Sequence, residues 1–179
     1  MRAAAAFVAL LVTGTIGLSA APPAANPVSD AIRQTWTGAK TNIKESAELM
    51  AEADYGFRPV DSVRTFGQIL AHVAGANYVF CAAAKGEKAP HAEDEFEKSA
   101  TTKAAIVKAL DDSLAYCDGV YTGLTDASAG QVFTMPFGMG DHARSFALIS
   151  NTGHLAEHYG NLVTYFRIKG IVPPSSRRQ

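Results

Sequence analysis

Four segments of this chain place apolar residues three and four positions apart, and no stretch alternates polar and apolar residues long enough to make a convincing strand. The first predicted helix runs from about Ser29 to Ala53, with Ile32, Trp36, Ala39, Ile43, Ala47 and Met50 on one face. Pro59 marks the break behind it. A second begins at Thr65, where Thr65-Phe66-Gly67-Gln68 matches a capping box, and runs to about Lys85 with Gly86 beyond its end. The third spans roughly Thr102 to Leu124, turning Ile106, Leu110, Leu114, Cys117 and Tyr121 inward. The fourth runs from near His142 to Lys169, is closed by Gly170, and cannot resume through Pro173-Pro174.

Four such helices with no internal repeat predict an all-α fold, an up-and-down four-helix bundle, over residues 28–172. A linker over 22–27 precedes it and a flexible tail over 173–179 follows. Two connections are long. Glu87 to Ala100 is rich in charge and reads as a solvated crossover. Thr125 to Asp141 combines glycines and a proline with Phe133, Met135, Phe137 and Met139, and reads as a loop covering one end of the bundle.

With 179 residues, 47% hydrophobic and 18% charged, the chain is long enough for one domain with a real core. Its formal charge of −1, from 16 Lys and Arg against 17 Asp and Glu, comes with no basic stripe. Nucleic acid is therefore excluded as an expected partner. Arg177 and Arg178 fall in the predicted tail.

The N-terminal segment reads as a secretory signal peptide over about residues 1–21. Met1-Arg2 is a positive start, Ala3 to Leu18 is uncharged and apolar, and Ser19-Ala20-Ala21 offers small residues for cleavage. An uncleaved anchor is the alternative, although the run is short of the roughly 20 apolar residues of a spanning helix. After cleavage no stable membrane span remains, and the mature protein is expected in the periplasm or fully secreted. A cysteine-linked lipid is excluded, because the only cysteines are Cys81 and Cys117. In an oxidising compartment these two could pair. If the second and third helices are antiparallel neighbours, however, they differ in height by about 15 Å, and two small buried apolar residues are the expected reading.

Chemistry concentrates in the histidines. His154 and His158 are four residues apart on the fourth helix, about 40° apart in angle, close enough to share a metal. His72 stands at the margin of the inward stripe of the second helix. In an up-and-down bundle the second and fourth helices point the same way, which puts His72 and His154 at comparable heights and lets three imidazoles converge. Such a set suits Zn²⁺ or Ni²⁺, with Fe²⁺ or Cu²⁺ also possible, and leaves a position open for water or substrate. The competing reading is that each is a hydrogen-bonded core histidine. Asn77, Asn151 and Tyr165 lie close in helical angle and are candidates for orienting ligands or substrate. His91 reads as solvated, and His142 is too far along the axis to join the same ion. Glu157 precedes the second histidine rather than following the first, so the metalloprotease pattern is absent.

The segment Arg64 to Ala74, Arg-Thr-Phe-Gly-Gln-Ile-Leu-Ala-His-Val-Ala, followed by Gly86-Glu87, resembles the first signature of the DinB/YfiT-like metalloenzymes. So does Gly153-His154-Leu155-Ala156-Glu157-His158-Tyr159-Gly160-Asn161-Leu162, running on to Gly170. The resemblance implies a four-helix bundle with a three-histidine metal site, whose ligand positions fall on His72, His154 and His158. It also implies relatives that transfer or isomerise with low-molecular-weight thiols, from which this chain departs by its signal segment.

Two functional expectations follow. One is an exported metal-dependent enzyme, hydrolase-like or thiol-transferase-like, acting on a small molecule. The other is a non-catalytic metal-binding or stress-associated bundle, for which a homodimer formed by helix faces is one expected form. An apolar Phe133 to Met139 loop lying over the metal would favour the first, and packing elsewhere the second.

Overall fold

The computed structural model describes residues 25–177. The signal segment, the first half of the linker and the last two residues lie outside them. Helix α1 is Pro27–Leu49, α2 is Phe66–Lys85, α3 is the short Glu95–Ser99, α4 is Lys103–Thr122 and α5 is Asp126–Ala129. Strands β1 (Val132–Met135) and β2 (Gly140–Ala143) form a hairpin, and the chain ends in α6 (Arg144–Ile168) and α7 (Pro174–Arg177). A 3₁₀ turn, Glu52–Asp54, follows α1.

The long helices α1, α2, α4 and α6 make the expected four-helix bundle, and their boundaries follow local chemistry. Thr65 accepts the Gln68 backbone N–H through its hydroxyl, while the Thr65 N–H donates to the Gln68 side chain, so the capping box at the start of α2 is complete. Gly86 ends the helix at φ 71, a left-handed conformation that costs glycine nothing. Thr102 caps α4 in the same way, by accepting the Ala105 N–H.

Helix directions differ from the sequence reading. Phe66 packs edge-on against Phe166 with ring centroids 5.3 Å apart, while Asn151 approaches Cys81 further along, so α2 and α6 run antiparallel. Asn77 donates to Ser113 and Cys81 meets Cys117, so α2 and α4 run parallel. Trp36 stacks on Tyr121 and Lys44 pairs with Asp111, which makes α1 and α4 antiparallel. Around the bundle the order is α1, α4, α2, α6. Because two neighbours run the same way, their connection must travel back along the bundle.

That return path changes the expectation for residues 87–100. Instead of a solvated loop, the segment descends along α2, with Phe96 and His91 against the Tyr78 ring. Helix α2 is consequently buried on nearly every face rather than on one stripe.

Parallel helices also bring Cys81 and Cys117 to the same height. They form a disulfide with Cα atoms 5.5 Å apart, and both residues are fully buried. The expectation that they stay unpaired rested on antiparallel neighbours and is corrected by the topology.

The segment read as a covering loop holds α5 and the hairpin, paired Val132 with Ala143 through Met135 with Gly140. Its turn closes with the Met139 N–H donating to the Pro136 carbonyl, and Phe137 and Gly138 have φ of 59 and 72. That is the mirror-image turn that suits the twist of a hairpin. The C-terminal tail, expected as flexible, forms α7 against α6, where the Tyr159 hydroxyl exchanges hydrogen bonds with Ser175.

No helix among the described residues is long and apolar enough to cross a membrane.

Candidate metal centre

Antiparallel packing of α2 on α6 sets His72, six residues into α2, opposite His154 and His158. The Nε2 atom of His154 is 3.0 Å from that of His72 and 3.0 Å from that of His158. One ring nitrogen from each residue falls within 4.8 Å of the others. The three side chains converge as expected, although from helices that run in opposite directions.

Protonation chemistry explains why such a cluster fits a cation. A proton on the His154 Nε2 points in one direction and serves one neighbour well, which leaves the other contact short of a bridging hydrogen. A divalent ion satisfies all three lone pairs at once. With bonds of about 2.0–2.1 Å, tetrahedral ligands stand roughly 3.3 Å apart, close to the 3.0 Å that separates His154 from each of the other two.

The environment holds the rings neutral, the form that ligates metal. Burial pushes His154 down to about 3, with His158 and His72 adding to the effect. Burial pushes His158 down to about 4, aided by His72 and partly opposed by Glu157. Burial also lowers His72, joined by the Arg64 charge and opposed by Glu97 and Glu93. The Nδ1 atoms of His154 and His158 are buried without a hydrogen-bond partner among the described residues.

A cleft of about 680 Å³ opens on the His158 side. One wall is the segment Pro59 to Arg64, with Val60 and Val63 exposed, and the other is α6 with Glu157, Asn161 and Tyr165. Glu157, the residue before His158, is exposed and stands on this wall. The Tyr165 hydroxyl donates to the Arg64 carbonyl at 2.7 Å and so ties the two walls together.

Of the three orienting candidates, Tyr165 stands at the cleft. Asn77 and Asn151 instead surround the disulfide: the Asn77 carbonyl oxygen lies 3.3 Å from the Cys117 sulfur, and the Asn151 amide faces Cys81, Cys117 and the Tyr121 hydroxyl. His91 lies against Glu95, and His142 of β2 stacks on Phe146 of α6, both outside the cluster. The hairpin reaches the centre only indirectly, since Phe137 touches Phe80 and Phe80 touches His154.

Sequence reading missed Glu93 and Glu97, which face the Nδ1 of His72 at 3.6 and 3.1 Å. It also missed Arg64 as a charged member of the site. The signal for the acids was Gly75, an isolated glycine in the middle of a helix, which marks a close approach by something outside it.

Comparison with known proteins gives the fold a lineage. The crystal structure of the mycothiol-dependent maleylpyruvate isomerase matches with a TM-score of 0.63 at 17% identity, over 75% of this chain and 60% of that one. This chain thus spans less than two thirds of that enzyme. A DinB-like protein from Bacillus cereus ATCC 10987 matches with a TM-score of 0.63 at 16% identity, over 81% of this chain and 95% of that one. YfiT from Bacillus subtilis, a probable metal-dependent hydrolase with an unusual four-helix bundle topology, matches with a TM-score of 0.62 at 17% identity, over 87% and 96%. No curated protein matches in sequence. The DinB superfamily model matches residues 35–162, most of the bundle, and the chain belongs to that superfamily.

Proposed function

We propose that this chain is an exported metalloprotein that holds one divalent ion, Zn²⁺ or Ni²⁺ in preference to Fe²⁺ or Cu²⁺, with His72, His154 and His158. The observation that carries the reading is the meeting of three Nε2 atoms inside the bundle. Neutral imidazoles of intermediate softness match those ions.

We further propose a metal-dependent enzyme, hydrolase-like or thiol-transferase-like, whose small-molecule substrate enters the cleft beside His158. When bound, the ion would polarise a substrate oxygen or lower the pKa of a water or thiol. The chain's own residues do the rest. Arg64 places a positive charge near all three imidazoles, and Tyr165 holds the 59–64 wall at a fixed distance from α6. Hydrolase chemistry is the one named for YfiT, and the isomerase is named as dependent on a thiol, mycothiol.

Export is supported by the disulfide, which persists in an oxidising compartment, together with the apolar N-terminal segment. A non-catalytic metal-binding role is the second reading. The hairpin favours it, because that apolar segment packs beside Phe80 rather than over the cleft.

Elemental analysis of protein purified without a histidine tag tests the first claim. About one equivalent per chain is expected, with none in a His154→Ala and His158→Ala double variant. Wild-type protein that stays metal-free after incubation with Zn²⁺ or Ni²⁺ overturns it. Metal-dependent turnover of an ester, or of a thiol with an electrophile, absent from the double variant, separates enzyme from passive binder.

A further inference from the structure

The crossover from α2 to α4 rests directly on α2 at Gly75. A Cβ built there would lie 1.9 Å from the Glu93 carbonyl oxygen and 2.6 Å from its carbon, so no larger residue admits the same path. This passage delivers Glu97 to the far side of the His72 ring, away from the converging nitrogens. One Glu97 oxygen is 3.1 Å from the His72 Nδ1, and the other accepts from the Arg64 Nε at 3.0 Å. The Glu97 side chain is only 18% exposed, so the contact is poorly screened by solvent.

A neutral imidazole carries one proton, on either nitrogen, and the partner of one nitrogen decides which. A carboxylate at Nδ1 keeps the proton there and leaves Nε2 as a bare lone pair. Among the described residues, neither His154 nor His158 has such a partner at Nδ1. His72 is therefore the one ligand whose tautomer and ring orientation are set by the protein.

We infer that Glu97 is the positioning residue of the centre: seated by Arg64 and by the passage of the crossover over Gly75, it holds the His72 proton on Nδ1 and presents Nε2 to the ion. The inference rests on the metal reading above for its use, but its physical content is independent of any ion. Docking of the crossover and readiness of the centre are one event. Substitutions at Gly75, which offers no ligand atom and lies one helical turn beyond His72, should be felt at His72.

The experiment reads the metal-free protein first. Imidazole ¹⁵N NMR at pH 7.5 should show His72 as the Nδ1–H tautomer in the wild type and shifted towards Nε2–H in Glu97→Ala. Glu97→Gln, which keeps an acceptor, should fall between them. Zn²⁺ affinity, measured by competition with a chromophoric chelator, should drop 10–100-fold in Glu97→Ala. Gly75→Ala should reproduce both changes, and the Gly75→Ala, Glu97→Ala double variant should be no worse than the weaker single one. An unchanged His72 tautomer in Glu97→Ala or Glu97→Gln of wild-type helicity overturns the proposal, as does full additivity in the double variant. Wild-type protein that binds no Zn²⁺ sinks the metal reading alone, because the tautomer result still decides what Glu97 does.

Discussion

Cys81 and Cys117 are 36 residues apart in sequence, yet their Cα atoms stand 5.5 Å apart on two helices that run in the same direction. The bridge closes a loop containing the entire crossover. It stabilises chiefly by restricting the unfolded chain, and loop-closure entropy for a ring of this size corresponds to about 4 kcal/mol. A Cys81→Ala, Cys117→Ala variant should therefore unfold at lower urea concentration by an amount equivalent to about 2–4 kcal/mol. Urea titration of the variant, and of wild type with and without reductant, checks this; coincident midpoints would contradict it.

Trp36 is the single tryptophan of the chain, is 2% exposed, and stacks on Tyr121 with centroids 4.3 Å apart while its indole N–H donates to Asp118 at 2.8 Å. Trp36→Ala should cost about 3–5 kcal/mol, by loss of buried area and by the cavity it leaves. Trp36→Phe keeps most of the packing and loses the hydrogen bond, so about 1–2 kcal/mol is expected. Chemical denaturation followed by circular dichroism measures both, and an Ala variant as stable as the Phe variant would refute the packing account.

Asp126 clasps the start of α1 from nearly a hundred residues away, its carboxylate accepting the backbone N–H groups of Ser29 at 2.7 Å and Val28 at 3.2 Å. The Ser29 hydrogen bond leads the causes that hold this carboxyl below its ordinary 3.8. A carboxylate with a depressed folded pKa contributes stability above its unfolded value and loses it as pH falls through the folded one. Asp126→Ala should thus melt at a lower temperature than wild type at neutral pH, with the gap narrowing below about pH 3.8. A gap of constant size down to pH 3 would rule out the carboxylate as its source.

Metal should act as a ligand of the folded state only. Zn²⁺ at a hundred times its dissociation constant should add about 2.7 kcal/mol, and the melting temperature should rise with metal concentration. The His154→Ala, His158→Ala variant should lose that dependence while keeping its helical circular dichroism, because the bundle has its own apolar core. A collapse of helicity on chelation would show that the ion is needed for folding.

The helices and the His154–His158 pair were legible because both depend on local spacing. The pair His154 and His158 share a face at any tilt or direction of their helix, and the Thr65 capping box needs four consecutive residues. Helix direction is different: an apolar stripe is the same read from either end, so nothing in Ile69, Val73 or Phe80 says which way α2 runs beside α4. The length of the connection held that information. Helix α2 is about 30 Å long, and residues 86 to 102 are enough to span it. Once that return path is granted, the disulfide and the partial burial of Phe96 follow. Glu97 stayed hidden because a charged segment normally faces water. The hairpin stayed hidden because four-residue strands are too short to show alternation, and Phe137 is an unusual choice for a left-handed turn position.

Because Cys81 lies before the crossover and Cys117 after it, a protease that cuts anywhere between residues 86 and 102 divides the polypeptide without separating its parts. The nicked product migrates as one species until a thiol is added, and as two afterwards. The piece bearing His72 would stay fastened to the piece bearing His154 and His158, so the centre outlives the severed peptide bond even though the segment that carries Glu97 has been opened.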